Sequence, residues 1–425
     1  MKVLALVLFI ITYLCLLILP KFRAYIALGS AFVFVALGYA GVLPVINVFS
    51  EVDWNVIMMI AGTMGVVSLF IESKMPSKLA DFIIEKTPNV KWAIIALALF
   101  AGIISAFIDN VATVLMVAPV ALNISKKLKI SPVPSVISIA VSSNLQGAAT
   151  LVGDTSSILL GGHAEMNFLD FFWFKGKPGL FWVVELGAAV TIFVLLVIFK
   201  NSKQPVKSME KTEVTDYFPT VLLVGIIVLL IIASFIPNKP ATTNGIICVS
   251  LMVIGLVRKF IKTRDSNTFM DALKEIDYTT ILLLTGLFIV IGGIKEAGVI
   301  EDIGNLFVKA SQDNVFIIFT LITWASVLIS AFIDNIPYVA TMLPVTSAIA
   351  STMGIDPYIL YFGLLVGATL GGNITPIGAS ANIAGIGILR KEGYEVSAKE
   401  FMKISVPFTL AAVISGYLLV WFLWK

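Results

Sequence analysis

Long apolar runs separated by short polar ones recur along the whole chain, and their lengths predict its elements. Residues 3–19 and 25–43 are two such runs, parted by Pro20, Lys21 and Arg23; a short acidic turn at Glu51 and Asp53 opens a third, about 54–71. About 20 apolar residues in a helix cross the hydrocarbon core of a bilayer, so each run predicts a membrane span. Residues 74–91 mix Lys, Asp and Glu with Leu79, Phe82, Ile83 and Ile84. That pattern suits either a helix lying on the membrane surface or an ordinary polar loop. Residues 92–107 and 111–124 are two apolar arms joined at Asp109-Asn110. Both arms are shorter than a span, which predicts a re-entrant hairpin; such a turn is tolerated at membrane depth only when packed in protein or lining a cavity.

The stretch 133–163 is one span interrupted by Asn144, Gln146, Gly147, Thr150, Gly153 and Asp154. Gly and small polar residues let a backbone unwind and free its carbonyls and helix ends to face an ion. A Phe- and Trp-rich loop (168–182), placed at the membrane interface, leads to a span near 181–199. Residues 200–217 form the only long polar linker. The order then recurs: spans near 218–236 and 243–258, Asp277 opening a third, a hairpin over 315–350, a broken span over 357–388 and a last span over 404–424.

The recurrence is literal at one place. Ser105-Ala106-Phe107-Ile108-Asp109-Asn110 returns as Ser330-Ala331-Phe332-Ile333-Asp334-Asn335, and a proline follows each Asn by nine residues (Pro119, Pro344). The same 225-residue offset pairs Thr150 with Thr375, Gly153 with Gly378 and Ile158 with Ile383. The chain therefore reads as two repeats, 1–200 and 218–425, joined by a linker at 201–217. Each repeat has five spanning segments, one of them broken, plus one re-entrant helical hairpin. Five crossings start the second repeat on the opposite face, so the fold class is an all-α integral membrane protein with two inverted-topology repeats.

The basic residues give an independent check, because cytoplasmic loops are enriched in Lys and Arg. Of the 29 Lys and Arg residues, this layout places 22 on one face, among them Lys21, Arg23, Lys126, Lys200, Arg258 and Arg390. The other face receives 7 (Lys2, Lys175, Lys177, Lys239, Lys295, Lys309, Lys425). Both termini are then outside the plasma (inner) membrane, the linker is cytoplasmic, and the two hairpins enter from opposite sides.

Composition agrees with a membrane protein and narrows its chemistry. The chain is 59% hydrophobic and 13% charged, with a net charge of +3. Cys15 and Cys248 lie in separate apolar runs without metal or pairing spacing and read as small core residues. Lys2 precedes an apolar run without an Ala-x-Ala site, which reads as a first helix rather than a removed signal peptide. The chain carries no nucleotide-binding fingerprint, metal-ligand cluster or nucleophile elbow, which excludes ATP-driven pumping and enzymatic catalysis as readings. No cofactor or nucleic-acid partner is expected; the partners are the bilayer and a small ion or anion.

An ionised carboxylate at the bilayer centre costs about 2.5–3.5 kcal/mol to insert, so Asp109 and Asp334 at equivalent hairpin tips are the first site candidates. One reading makes them ligands of a coupling cation or proton, with Asn110 and Asn335 adding neutral oxygens; these four are the candidate Na⁺ ligands. The other makes each Asp a cap for the second hairpin arm. The breaks add Asn144, Thr150 and Asp154 in the first repeat and Asn373, Thr375 and Asn382 in the second. Hydroxyls, amides and freed carbonyls suit a hard cation, while half-helix N-termini suit an anion. His163, the only histidine, is either a pH-sensing group or a plain interface residue. No Lys or Arg lies near Asp109 or Asp334 in the sequence, so the two tips read as one negative site converging halfway across the bilayer.

At the paired hexads, at Ile336-Pro337 and at Gly371-Gly372-Asn373-Ile374-Thr375-Pro376-Ile377-Gly378, the chain resembles the ion transporter superfamily. The resemblance is greatest to the ArsB/NhaD permease group, to which the melanosomal P protein belongs. It covers essentially the whole chain. A more distant similarity is to the divalent anion/sodium symporters, which carry Ser-Asn-Thr at each hairpin tip where this chain has Asp109-Asn110-Val111 and Asp334-Asn335-Ile336. The resemblance implies elevator-type scaffold and transport domains, the transport parts being about 92–163 and 315–388. It also implies a homodimer and Na⁺ sites between each hairpin tip and the neighbouring broken span. The function so implied is secondary active transport of a small ion, by Na⁺/H⁺ antiport or, alternatively, as an ion-coupled anion or oxyanion permease of arsenite or citrate/dicarboxylate type. The acidic tips favour the first.

Overall fold

Several helices begin where the sequence offers a side-chain acceptor for their free N–H groups. In the computed structural model, which describes residues 1–205, 212–264, 274 and 276–425, Asp53 accepts from Val56 N at 3.0 Å and starts helix Trp54–Glu72. Asp277 does the same for Tyr278–Glu296, accepting from Thr280 N at 3.0 Å. Asn89 caps Val90–Ser105, Asn314 caps Val315–Ser330 and Ser397 caps Ala398–Trp424. Each cap satisfies donors that would otherwise be stranded at a helix end.

The apolar runs become helices Lys2–Ile18, Arg23–Tyr39, Trp54–Glu72, Leu180–Ile198, Phe218–Ser234, Thr243–Thr263, Tyr278–Glu296 and Ala398–Trp424. Among the described residues, eight helices are long and apolar enough to cross a membrane: six of these, together with Asn110–Leu128 and Asn335–Met353. A ninth candidate is a pair bent by 117°, Val299–Ser311 followed by Val315–Ser330. Lys2–Ile18 and Phe218–Ser234, at 17 residues each, are apolar but a little shorter.

The hairpins form as helix–turn–helix pairs. The first is Val90–Ser105 and Asn110–Leu128, the second Val315–Ser330 and Asn335–Met353. Their second arms run to 19 residues each, longer than the sequence reading gave the first one. The helix continues through Ser125-Lys126-Lys127-Leu128 beyond the apolar stretch, because its backbone bonds need no apolar side chains and Lys and Leu are good helix formers. Residues 74–91 resolve toward helix: Met75–Glu85 buries Pro76, Ala80 and Ile84. Its counterpart Val299–Ser311, which the hydrophobic pattern did not reveal, packs on the second hairpin.

Both broken spans are broken. The first is Val133–Gly147, an irregular stretch, then Thr155–His163. The second is Tyr358–Leu365, a π turn at Val366–Leu370, a 3-10 turn at Gly372–Ile374, then Ser380–Lys391. One strand pair departs from the all-α expectation. Trp173–Phe174 and Lys177–Pro178 pair antiparallel, joined by Lys175 and Gly176, both at positive φ, as a two-residue hairpin turn requires. Lys207, Glu210 and Lys211 of the linker lie outside the described residues.

The broken spans form the most deeply buried part of the molecule. Every residue from Val133 to Gly147 except Pro134 is buried, as are all from Tyr361 to Asn373. Helix Ser380–Lys391 packs on both Val133–Gly147 and Asn110–Leu128, so the second repeat's broken span lies against the first repeat's hairpin. Around this unit run two further close helix pairs: Trp54–Glu72 with Thr243–Thr263, and Arg23–Tyr39 with Tyr278–Glu296.

Candidate functional site

At each hairpin tip the Asp is the N-cap of the second arm. Asp109 Oδ1 accepts from Val111 N at 3.0 Å and Ala112 N at 3.1 Å, and Asp334 Oδ1 accepts from Ile336 N at 3.2 Å. Capping and site formation coexist here, because an Oδ1-bound carboxylate still has a second oxygen to offer.

The repeats cross at the asparagines. Asn110 Nδ2 donates to Asn144 Oδ1 at 3.0 Å, and Asn144 Nδ2 donates to the Thr369 carbonyl of the other repeat at 2.7 Å. Asn373 Nδ2 returns the link, donating to the Val141 carbonyl at 2.9 Å. Asn335 Nδ2 donates to Asp154 Oδ2 at 3.3 Å. Asn382 Nδ2 reaches the carbonyls of Gly372 and Thr375 within its own break. Hydroxyls Thr150 and Thr375 donate to the equivalent carbonyls of Ala106 and Ala331, tying each break to its own hairpin.

Behind each threonine sits a glycine with no room for a side chain. A Cβ at Gly153 would lie 2.5–2.7 Å from the carbonyl oxygens of Gly147, Ser105 and Ala106. At Gly378 the same contacts, 2.5–2.8 Å, come from Gly372, Ser330 and Ala331. Each repeat thus gathers three backbone carbonyls around one point beside its hairpin tip. The buried oxygens Asn373 Oδ1 and Asn382 Oδ1 and the hydroxyl of Ser157 have no hydrogen-bond partner. Buried polar atoms normally have partners, so this concentration of unused oxygen is a feature of the site.

A cavity of about 180 Å³ lies at the hairpin tips. Asp109, Asn110, Asp154, Asn335 and Ser380 line it, together with Asp277 and Thr280. The hairpin tips therefore meet at one cavity, but through Asp109 from the first and Asn335 from the second. Asp334 faces a separate cavity of about 170 Å³, lined by Tyr13, Leu16, Pro20 and Arg23. There its Oδ2 accepts from Arg23 at 2.9 Å and from Ser380 Oγ at 2.9 Å. The expectation that neither tip has a nearby cation is corrected at Asp334. Its partner is 311 residues away in sequence, beyond the reach of local pattern.

Asp277 and Thr280 were likewise missed as cavity groups; Asp53 and Asp277 were visible as the residues that open the third span of each half, but not that one of them faces the tips. Among the described residues no three acidic, His or Cys side chains are grouped closely enough to hold a metal ion.

His163 lies elsewhere, at a larger cavity of about 830 Å³ beside Asp53, Lys295 and Glu51. Its Nε2 is 2.7 Å from Ser347 Oγ, which is also 2.7 Å from the Tyr361 hydroxyl.

A nearly all-helical protein with eight or nine candidate apolar spans among its described residues, its two helical hairpins meeting broken spans at a buried polar centre, is a polytopic membrane transporter. The comparisons place it more closely. Residues 6–367 match the family CitMHS, citrate transporter, and the chain belongs to that family. An uncharacterized transporter of Mycobacterium tuberculosis is 28% identical over 94% of this chain and 93% of its own length. The human P protein is 26% identical over 92% of this chain, which spans 56% of that longer protein. The resemblance drawn from the hexads thus holds at superfamily level and for the P protein, while the family matched is CitMHS. Two solved transporters share the fold: YdaH of Alcanivorax borkumensis (TM-score 0.60, 13% identity, 87% of this chain and 84% of that one) and MtrF of Neisseria gonorrhoeae (0.52, 15%, 87% and 80%).

Proposed function

We propose that this chain is a secondary active transporter that moves a small ion across the membrane by binding a cation, Na⁺ or H⁺, at the cavity shared by Asp109 and Asp154, in the manner of a Na⁺/H⁺ antiporter. One observation carries the reading: Asp109, Asp154 and Asp277 line that cavity, and among the described residues no Lys, Arg or His does. Charge within a membrane protein marks an ion path, and uncompensated negative charge marks a cation's. The side-chain amides of Asn110 and Asn335 line the same cavity and supply neutral oxygens such an ion needs. Thr150, Asn144, Asn373, Thr375 and Asn382 hold the surrounding breaks in place.

In this account the two repeats are inverted, the hairpins and broken spans (about 92–163 and 315–388) move as a transport domain against the remaining helices, and two copies form a dimer. Both termini are outside and the linker is cytoplasmic.

A second reading, an ion-coupled anion or oxyanion permease, has its own support. The family carries the name citrate transporter. Helix Ser380–Lys391 also begins at Ala379 without a side-chain cap, and Ser380 lines the cavity, so a helix N-terminus is available to an anion.

Proteoliposomes loaded with a pH-sensitive dye separate the two. Na⁺ or Li⁺ added outside should move protons without any organic or inorganic anion present. Flux seen only with citrate, succinate or arsenite would select the second reading, and flux insensitive to both Na⁺ and pH would remove the first.

A further inference from the structure

The duplicated halves place the same Asp at equivalent hairpin tips but surround it with opposite charge. In the first repeat, Asp109 is joined at the cavity by Asp154, and no basic side chain lines that cavity among the described residues. Asp109 engages only its Oδ1, with Val111 and Ala112. In the second repeat, Asp334 spends Oδ1 on Ile336 and Oδ2 on both Arg23 and Ser380. The residue 225 positions after Asp154 is Ala379, which carries no charge. The cavity at the first repeat's tip thus gathers the carboxylates of Asp109, Asp154 and Asp277 without a basic side chain among the described residues, whereas Asp334 at the second tip is neutralised by Arg23.

The guanidinium is not a surface group that happens to be close. Arg23 is the first residue of helix Arg23–Tyr39, its side chain is 24% exposed, and it reaches an Asp that is 4% exposed. A carboxylate so deeply buried needs a partner, and an arginine stays charged at any physiological pH.

We propose that Arg23 is a tethered cation: it takes, in the second repeat, the place that a dissolved coupling cation takes in the first. The inference rests on the cation reading above. One coupling cation then binds per protomer, at the Asp109–Asp154 centre, although the chain is duplicated. The second half keeps the carbonyl cluster at Gly378 and the acidic tip, but its positive charge is covalently supplied and does not leave during the cycle.

Binding of radioactive ²²Na⁺ to purified, detergent-solubilised protein tests this without knowledge of the cargo. The wild type should bind one Na⁺ per protomer. Arg23→Gln strips Asp334 of its counter-ion and should bind two, with the Hill coefficient for Na⁺ rising from about 1 toward 2. Arg23→Gln/Asp334→Asn removes both charges, so it should return to one Na⁺, and it shows that a Gln at position 23 is compatible with the fold. Two Na⁺ bound by the wild type, or one or none by Arg23→Gln while the double variant binds one, overturns the tethered cation and leaves the cation reading standing. Failure of the double variant to recover one Na⁺ overturns it as well. No Na⁺ bound by the wild type removes the Na⁺ reading, and this inference with it.

Discussion

Asp109 caps a helix and also faces the cavity, and replacing it by Asn separates the two roles. Asparagine keeps the oxygen that accepts from Val111 N and Ala112 N, and it ranks with Asp as an N-cap. The variant's stability should therefore change by less than about 1 kcal/mol. Its charge is gone, however. A unit charge about 4 Å from a cation, at the effective dielectric of about 20 that suits protein sites, contributes about 4 kcal/mol. At about 1.4 kcal/mol per decade, that is a loss of roughly a thousandfold in affinity. Asp154 remains at the same cavity and water reaches the site, so a weakening between about a hundredfold and a thousandfold is expected. The assay is a paired one on purified protein: a thermal melt without Na⁺, then the melting shift produced by a Na⁺ titration, which reports affinity through preferential binding to the folded state. A normal melt with a titration moved to far higher Na⁺ is the predicted result. An unchanged titration would refute a ligand role for Asp109, and a collapsed melt would leave capping as its whole function.

Further predictions follow from packing and charge. Gly153→Ala or Gly378→Ala forces a Cβ against three backbone carbonyls, none at the end of a flexible side chain, and should cost about 3 kcal/mol or more. Gly29→Ala, in a helix with nothing within 4 Å, should instead be neutral or stabilising by up to about 1 kcal/mol in the same thermal melts. At the cytoplasmic end of the proposed layout, the Arg258 guanidinium, 2.6 Å away, holds Asp216 down at about 2 from an ordinary value of 3.8. A depressed carboxyl stabilises the fold above its unfolded value and loses that contribution as pH falls through the folded one. Wild type should therefore lose stability relative to Asp216→Asn between about pH 4 and pH 2 and hold a constant difference above pH 5, read from melts across that range.

How much of this was legible from sequence depends on the distance over which each feature is written. The caps at Asp53, Asp277, Asp109 and Asp334 lie next to the helices they start, and the breaks at Gly147–Gly153 and Gly371–Gly378 announce themselves by composition. Duplication extended that reach, since Thr150 and Thr375 make the same bond to Ala106 and Ala331 and were paired by register alone. The asymmetry between the repeats was not legible. Arg23 stands in what reads as a loop between two spans, and only the packed fold brings it to Asp334. The same holds for Asp277, which was visible as the opening of a span but not as a wall of the cavity that Asp109 faces. Helix Val299–Ser311 and the strand pair at 173–178 were missed for a simpler reason. The first lies between two long apolar runs that draw attention from it, and the second is too short for an alternating pattern.

The account stands on a cation held between Asp109 and Asp154, and a cryo-EM difference map tests that most directly. Protein prepared in saturating Tl⁺, a heavy monovalent surrogate for Na⁺, is compared with protein in choline. Density within coordinating reach of Asp109, Asp154 or the carbonyls of Ser105 and Ala106, with none beside Arg23 and Asp334, is the predicted result. Density at Asp334 alone, or none at either carboxylate centre in a preparation whose transport depends on the same cation, contradicts it.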